Sequence, residues 1–378
     1  MNRTACSPTP EGCGRCHSTR RPSPDTETLL LLMAHNGHAH EAIARVLERC
    51  GVTYRTAGQV LMLPTDRRRM SLLRETLDSQ VPKPVQNAVR AVFFQGDPAC
   101  PASALTAFVG AEPLPTLLSM QADEWVRDAL DDGWLFSVFH PIVEAGSLRP
   151  FAYEALIRAR HPETREVIGA GPIIGACERL DLQHVLDQLA RQTAIRNAAA
   201  LAPPYGRFFV NFLPNTIYDP EICLRTTMEA ADECGIDVSR LVFQVVETES
   251  IPDMKRLRHI LDYYRSRGVG TAVDDMGAGY SSTDYLTALR PDYVKLDRAL
   301  VVKAEDDWAA RWKMAEIIRV ARDLGIQVIA EGIETVTQRQ VCLDLGVDYL
   351  QGFLFAHPAN PPQAVRAEMI SGSLREAA

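Results

Sequence analysis

The chain has 378 residues, 46% of them hydrophobic and 23% charged, and a formal net charge of −8. This is the composition of a folded globular protein, long enough for a barrel-sized domain of about 250 residues plus a small partner. The acidic balance argues against duplex nucleic acid as a partner, and no apolar run approaches the roughly 18 residues of a membrane span. Nine cysteines, odd in number and scattered, read as reduced thiols, so a cytoplasmic location is expected.

Residues 1–26 are rich in Pro, Ser, Thr and Cys and read as a flexible arm. Within it, Cys13-Gly14-Arg15-Cys16-His17 fits a c-type haem attachment pattern, but such haem belongs outside the cytoplasm and no export signal is visible. A zinc site completed by His35, His38 or His40 and a free, redox-sensitive thiol pair are the other readings. Residues 27–102 form a small α/β module. It comprises a strand at Thr28–Ala34, a helix at His40–Cys50, a strand at Gln59–Leu63, a charged helix at Asp66–Leu77 and a strand at Val89–Phe94. Residues 103–132 form a helical connector, with Leu117, Leu118, Met120, Trp125, Ala129 and Leu130 as its apolar positions.

From residue 133 to 370 the rhythm changes. Strand segments are expected at Phe136–Val143, Ala152–Ile157, Phe208–Phe212, Leu241–Val246, Val269–Val273, Tyr293–Leu296, Gln327–Ile329 and Val347–Leu350. Most are separated by helices: Leu182–Ala198, Pro220–Glu233, Met254–Ser266, Trp308–Leu324 and Val336–Leu345. This alternation predicts an α/β chain with a (β/α)8 barrel. An open doubly wound sheet is the alternative, and it lacks its Gly-x-Gly-x-x-Gly turn.

Polar residues punctuate these strands: Glu154, Asn211, Gln244 and Glu247, Asp274 and Asp275, Lys295 and Asp297, Glu331, and Gln351. In a barrel, C-terminal strand ends converge on one mouth, so these side chains are expected in one cleft. Carboxylates gathered in this way repel one another without cations, and oxygen ligands suit magnesium or manganese better than zinc. Carboxylates, a lysine and a metal-bound water together describe phosphoester hydrolysis. Alone, Glu154 reads as a paired buried carboxylate and Asp297 as a cap for the turn after its strand.

At these residues the chain resembles EAL domains, the phosphodiesterases that open cyclic di-GMP to pGpG. The resemblance rests on Glu154-Ala155-Leu156 with Arg158, and on Phe139-His140-Pro141-Ile142-Val143 and Phe209-Val210-Asn211. It continues through Asp274-Asp275-Met276-Gly277-Ala278-Gly279-Tyr280-Ser281-Ser282, Val294-Lys295-Leu296-Asp297, Ala330-Glu331-Gly332-Ile333-Glu334 and Gln351-Gly352-Phe353-Leu354-Phe355. It implies a TIM-like barrel with one strand reversed, two divalent ions, cyclic di-GMP as ligand, and a homodimer. It also implies that the N-terminal module is a sensory input with a protein partner.

By motif, Glu154, Asn211 and Asp274 would hold one ion, and Asp274, Asp275 and Glu331 the second. Gln351 would lie beside them. Lys295 would hold the attacking water, Arg158, Glu334 and Asp297 would face the dinucleotide, and Glu247 would pin the Asp-Asp loop. Against the family's Glu-x-Thr-Glu or Glu-x-Val-Glu, the fourth strand here reads Gln244-Val245-Val246-Glu247. Gln244 offers one neutral oxygen in place of a carboxylate. The expectations are therefore weak or manganese-dependent hydrolysis, or a silent cyclic-di-GMP receptor. A fully active phosphodiesterase is the third. His140 and Met276 also depart from the pattern, the latter as apolar packing.

Overall fold

The computed structural model describes residues 28–94, 109–201, 206–217, 219–246, 253–278 and 283–366. The Cys13–His17 motif and Glu247 lie outside the described residues. The described residues divide into two compact units, one comprising 132–174 and those from 183 onward, the other 28–131 together with 175–182.

The N-terminal unit is an antiparallel sheet of β1 (Thr28–Ala34), β2 (Arg55–Ala57), β3 (Val60–Thr65), β4 (Val89–Phe94) and β5 (Glu112–Pro113), in the order β2-β3-β1-β4-β5. Strand alternation sends Leu30 and Leu32 to the face packed by helices, while Leu31 clusters with Phe94 on the other face. The helix Gly37–Arg49 starts three residues earlier than the apolar period predicts. Asn36 caps it, its side chain accepting from the Ala39 amide at 2.8 Å, and Ala39, Ile43, Val46 and Leu47 form the buried stripe. The expected connector contains two helices, Leu114–Ala122 and Trp125–Asp131, and also β5, which pairs with β4.

The second unit begins with β6 (Leu135–Glu144), β7 (Pro150–Arg160) and β8 (Val167–Ile168), then β9 (Arg207–Phe212), β10 (Leu241–Val246) and β11 (Gly270–Met276). It ends with β12 (Tyr293–Leu296), β13 (Gln327–Ala330) and β14 (Tyr349–Gln351). The sheet order is β6-β14-β13-β12-β11-β10-β9-β7-β8, and a further β6–β7 pairing closes eight of these strands into a barrel, with β8 at an edge. β7 and β9 to β14 pair in parallel, whereas β6 is antiparallel to both its neighbours and is the reversed strand. Strands buried on both faces read as nearly unbroken apolar runs, as in the Leu-Val-Phe-Gln-Val-Val of β10. Phe243 turns outward to stack on Tyr264 with ring centroids 4.4 Å apart, in the core between strands and helices.

Inside the barrel the period of two builds two tiers. The lower is apolar: Ile142, Ala152, Phe209, Val242, Ala272, Tyr293, Ile329 and Tyr349. Two residues further along each parallel strand come Glu154, Asn211, Gln244, Asp274, Lys295, Glu331 and Gln351. On the reversed β6 the matching step runs backward, from Ile142 to His140, which pairs in register with Glu154.

Candidate active site

The upper tier is a buried hydrogen-bonded cluster. Lys295, 0% exposed, donates from Nζ to Glu154 Oε1 at 3.1 Å and Asp274 Oδ2 at 3.2 Å, and it contacts Glu331 Oε1. Gln244, also 0% exposed, donates from Nε2 to Glu154 Oε1 at 2.6 Å, Asn211 Oδ1 at 2.9 Å and Asp274 Oδ2 at 3.1 Å. Gln351 Nε2 donates to the other Glu154 oxygen at 2.7 Å and lies 3.1 Å from His140 Nδ1. Glu154 is thus held by three side chains from three strands.

One ammonium cannot keep three neighbouring carboxylates ionised. Burial works against the Lys295 charge, but Asp274, Glu154 and Glu331 outweigh it and hold its pKa well above the ordinary lysine value. Burial also pushes Glu154 upward, yet Lys295 and the Gln351 and Gln244 hydrogen bonds keep it below the usual carboxylate range. Asp274 is raised by burial, with repulsion from Glu154 and Asp275 adding to it, to about 6. Glu331 is pushed well above its ordinary value, first by burial and then by Asp274. The cluster is therefore short of positive charge.

The turn after β11 is set by the backbone. Asp275 adopts a left-handed conformation, φ 56°, and its amide donates to Asp274 Oδ1 at 2.9 Å. Next, Gly277 has φ 101°, and a Cβ there would lie 2.5 Å from Leu300 Cδ2, so only glycine fits. Lys313 Nζ donates to the Gly277 carbonyl at 2.9 Å and ties the turn to the helix Trp308–Asp323.

Glu154, Asp274 and Glu331 each offer an oxygen within 4.8 Å of the others, a donor set that fits a hard divalent cation. At the corner formed by Glu154, Asn211 and Asp274, the Gln244 amide nitrogen already fills the centre, and Gln244 Oε1 is buried with no partner among the described residues.

Other expected site residues stand apart from this cluster. Arg158 lies on the same strand face as Glu154, four residues or about 13 Å further along β7. It is half-buried and its Nη1 donates to the Ile157 carbonyl at 2.7 Å. Asp297 caps the helix Arg298–Lys303 by accepting from the Ala299 and Leu300 amides at 3.0 and 3.2 Å. Glu334 pairs with Arg298 at 2.8 Å, and both are exposed.

His140, noted in the sequence only as a departure from the family motif, completes the tier beside Gln351, and counting two residues back from Ile142 on a reversed strand places it there. The pair Asp187 and Arg191 escaped the sequence reading. Asp187, on the helix Gln183–Ala199, accepts from the Leu213 amide at 2.8 Å and Thr216 Oγ1 at 2.9 Å, so it clamps the loop that follows Asn211. Arg191, one helical turn on and buried, pairs with it and donates to Thr227 Oγ1 at 3.1 Å. The i, i+4 spacing of Asp187 and Arg191 reads from sequence as a solvated helix pair, so their burial gave no signal.

The EAL domain family profile matches residues 123–358, more than half of the chain. The cyclic di-GMP phosphodiesterase NbdA of Pseudomonas aeruginosa is 28% identical over 242 residues, covering 63% of this chain and 31% of that protein. A standalone EAL protein of Vibrio cholerae, solved with cyclic di-GMP bound, is 32% identical with a TM-score of 0.56, covering 63% of this chain and 97% of that one. The MucR phosphodiesterase of Pseudomonas aeruginosa, solved as a cyclic di-GMP complex, is 26% identical with a TM-score of 0.57, covering 64% and 97%. The aligned region spans about a third of the length of the first curated relatives, 34%, 29% and 31%. Among the described residues no helix is long and apolar enough to cross a membrane.

Proposed function

The chain belongs to the EAL domain family, and on that premise we propose that its barrel binds cyclic di-GMP and hydrolyses it to pGpG weakly, or only with manganese. The observation that carries this reading is the upper tier. It gathers Glu154, Asp274, Glu331 and Lys295 as the family chemistry requires, yet presents an amide, Gln244, among the acidic ligands.

Magnesium or manganese, held by Glu154, Asn211, Asp274, Asp275 and Glu331, would polarise a phosphoryl oxygen and acidify a water. Lys295 neutralises the carboxylates and orients the attacking water, whose oxygen joins phosphorus as the bond to the ribose oxygen breaks. Gln351 fixes Glu154 from the other side. Arg158 has five donors, one of them on Ile157, and faces the ligand phosphate through the others. Glu334, paired to Arg298, changes partner to meet the base. Gln244 contributes no charge, so the cage holds its cations less tightly, and losing a metal-site partner costs ~10–100-fold in affinity or activity. The N-terminal unit serves as the input that regulates the barrel.

A silent receptor is the second reading, favoured by the Gln244 amide already sitting among the ligand oxygens. Purified protein with cyclic di-GMP and magnesium or manganese, assayed for pGpG, separates the two. Calorimetry in calcium tests binding without turnover. Tighter binding of GMP than of cyclic di-GMP would refute both readings.

A further inference from the structure

Three oxygens from three strands converge on a single atom, Gln244 Nε2, at 2.6, 2.9 and 3.1 Å. The orientation of this amide is not arbitrary. Turned over, it would press Oε1 against the carboxylate oxygens of Glu154 and Asp274. With nitrogen inward, Oε1 is the atom left buried and unpartnered among the described residues. Two of the same oxygens, Glu154 Oε1 and Asp274 Oδ2, also accept from Lys295 Nζ. The two nitrogens thus bridge one pair of carboxylates, as paired cations would.

We infer that the Gln244 amide is a built-in substitute for one of the two ions: it closes the Glu154–Asn211–Asp274 corner, and this chain takes a single divalent ion on the side of Asp274, Asp275 and Glu331. The inference rests on the EAL reading of the cage and deepens it. An ion entering the closed corner must displace the amide nitrogen, whose two hydrogens are shared among the three oxygens, and turn the amide to present its orphan oxygen. Among the described residues the contact at Glu331 is the Lys295 ammonium, a point charge on a four-carbon stem, and no side-chain amide occupies the space between the ligand oxygens. A carboxylate at position 244 would reverse the situation. Ionised, it cannot donate, so it would repel Glu154 and Asp274 until an ion or a proton arrived.

The test uses the full chain stripped of metal, as wild type, Gln244→Glu and Gln244→Met. Titrating Mn2+ and following the free-ion signal by electron paramagnetic resonance counts the bound ions. Wild type should bind one Mn2+ and Gln244→Glu two. Without metal, both variants lose the donor and should melt lower by roughly 3 °C or more. Mn2+ should restore only Gln244→Glu, because methionine offers no hard oxygen. Two ions bound equally tightly by wild type and Gln244→Glu, or metal-free melting unchanged in both variants, would overturn the inference. If Gln244→Glu does not fold without metal, the wild-type count and Gln244→Met decide. Cyclic di-GMP binding in calcium, read on the same samples, keeps the two levels apart. Its absence with the expected ion counts sinks the ligand and spares the substitute ion, and the converse pattern does the reverse.

Discussion

Along every strand of the closed barrel, the lower inner residue is apolar and the one a single alternation above it is polar or charged. The two tiers share backbone, strand and depth of burial, and they differ only in what burial does to them. Phe209, Val242 and Ile329 gain from leaving water. Lys295, Glu154 and Asp274 lose hydration and are compensated by one another and by the amides of Gln244 and Gln351. The contrast teaches that the lower tier is there for the fold and the upper for its chemistry, since a well-packed apolar ring would serve stability better.

Substitutions should separate the tiers. Lys295→Met removes an ammonium that contacts three carboxylates of a buried cage. Chemical denaturation should show a loss of about 3–5 kcal/mol, and pGpG formation should fall to background. Full stability in that variant would mean the carboxylates do not depend on Lys295. Phe209→Ala, in the lower tier, should cost a similar ~3–5 kcal/mol of stability while leaving cyclic di-GMP affinity of the folded protein unchanged. A large affinity loss there would erase the distinction between the tiers. Arg158→Ala, beyond both, should weaken cyclic di-GMP binding by about 1.5–3 kcal/mol in calorimetry and leave the melting temperature in place.

A smaller effect should appear with pH. Asp274 is raised in the fold from 3.8 to about 6, so its contribution to metal-free stability is full below the unfolded value and fades as pH rises through about 6. In chelator, lowering pH from about 7 to about 5 should therefore favour the native state through this group. The gain should shrink in Asp274→Asn, and an unchanged slope would show that Asp274 does not take up the proton.

Much of this was readable from the chain. Long periodic runs stood out: β1, β4, β10 and β12 and the helices Met254–Ser266 and Val336–Leu345 carry the bounds that alternation and helical period predict. Fully exposed β2 has no alternation to read, and two-residue β8 is too short to show one. The expected helix Pro220–Glu233 is interrupted at Leu224, where Pro220–Cys223 ends and Arg225–Glu233 begins. In the helix Ala170–Arg179, two glycines and a proline mask the helical signal. Polar residues ending successive strands were visible, and the fold brings together Glu154, Asn211, Gln244, Asp274, Lys295, Glu331 and Gln351, whereas Asp297 caps a helix. The amide of Gln244 was not legible, because its orientation depends on oxygens from β7, β9 and β11 at once.

Gln244 therefore marks where the upper tier departs most from its family's chemistry, and hydrolysis measured against manganese concentration tests that point most directly. Wild type and Gln244→Glu are to be compared for pGpG formation across a Mn2+ titration with cyclic di-GMP saturating. The variant should be faster by roughly tenfold or more, with the gain already present at low Mn2+. Superimposable curves, or a variant slower at every concentration, would contradict a cage limited by its neutral ligand.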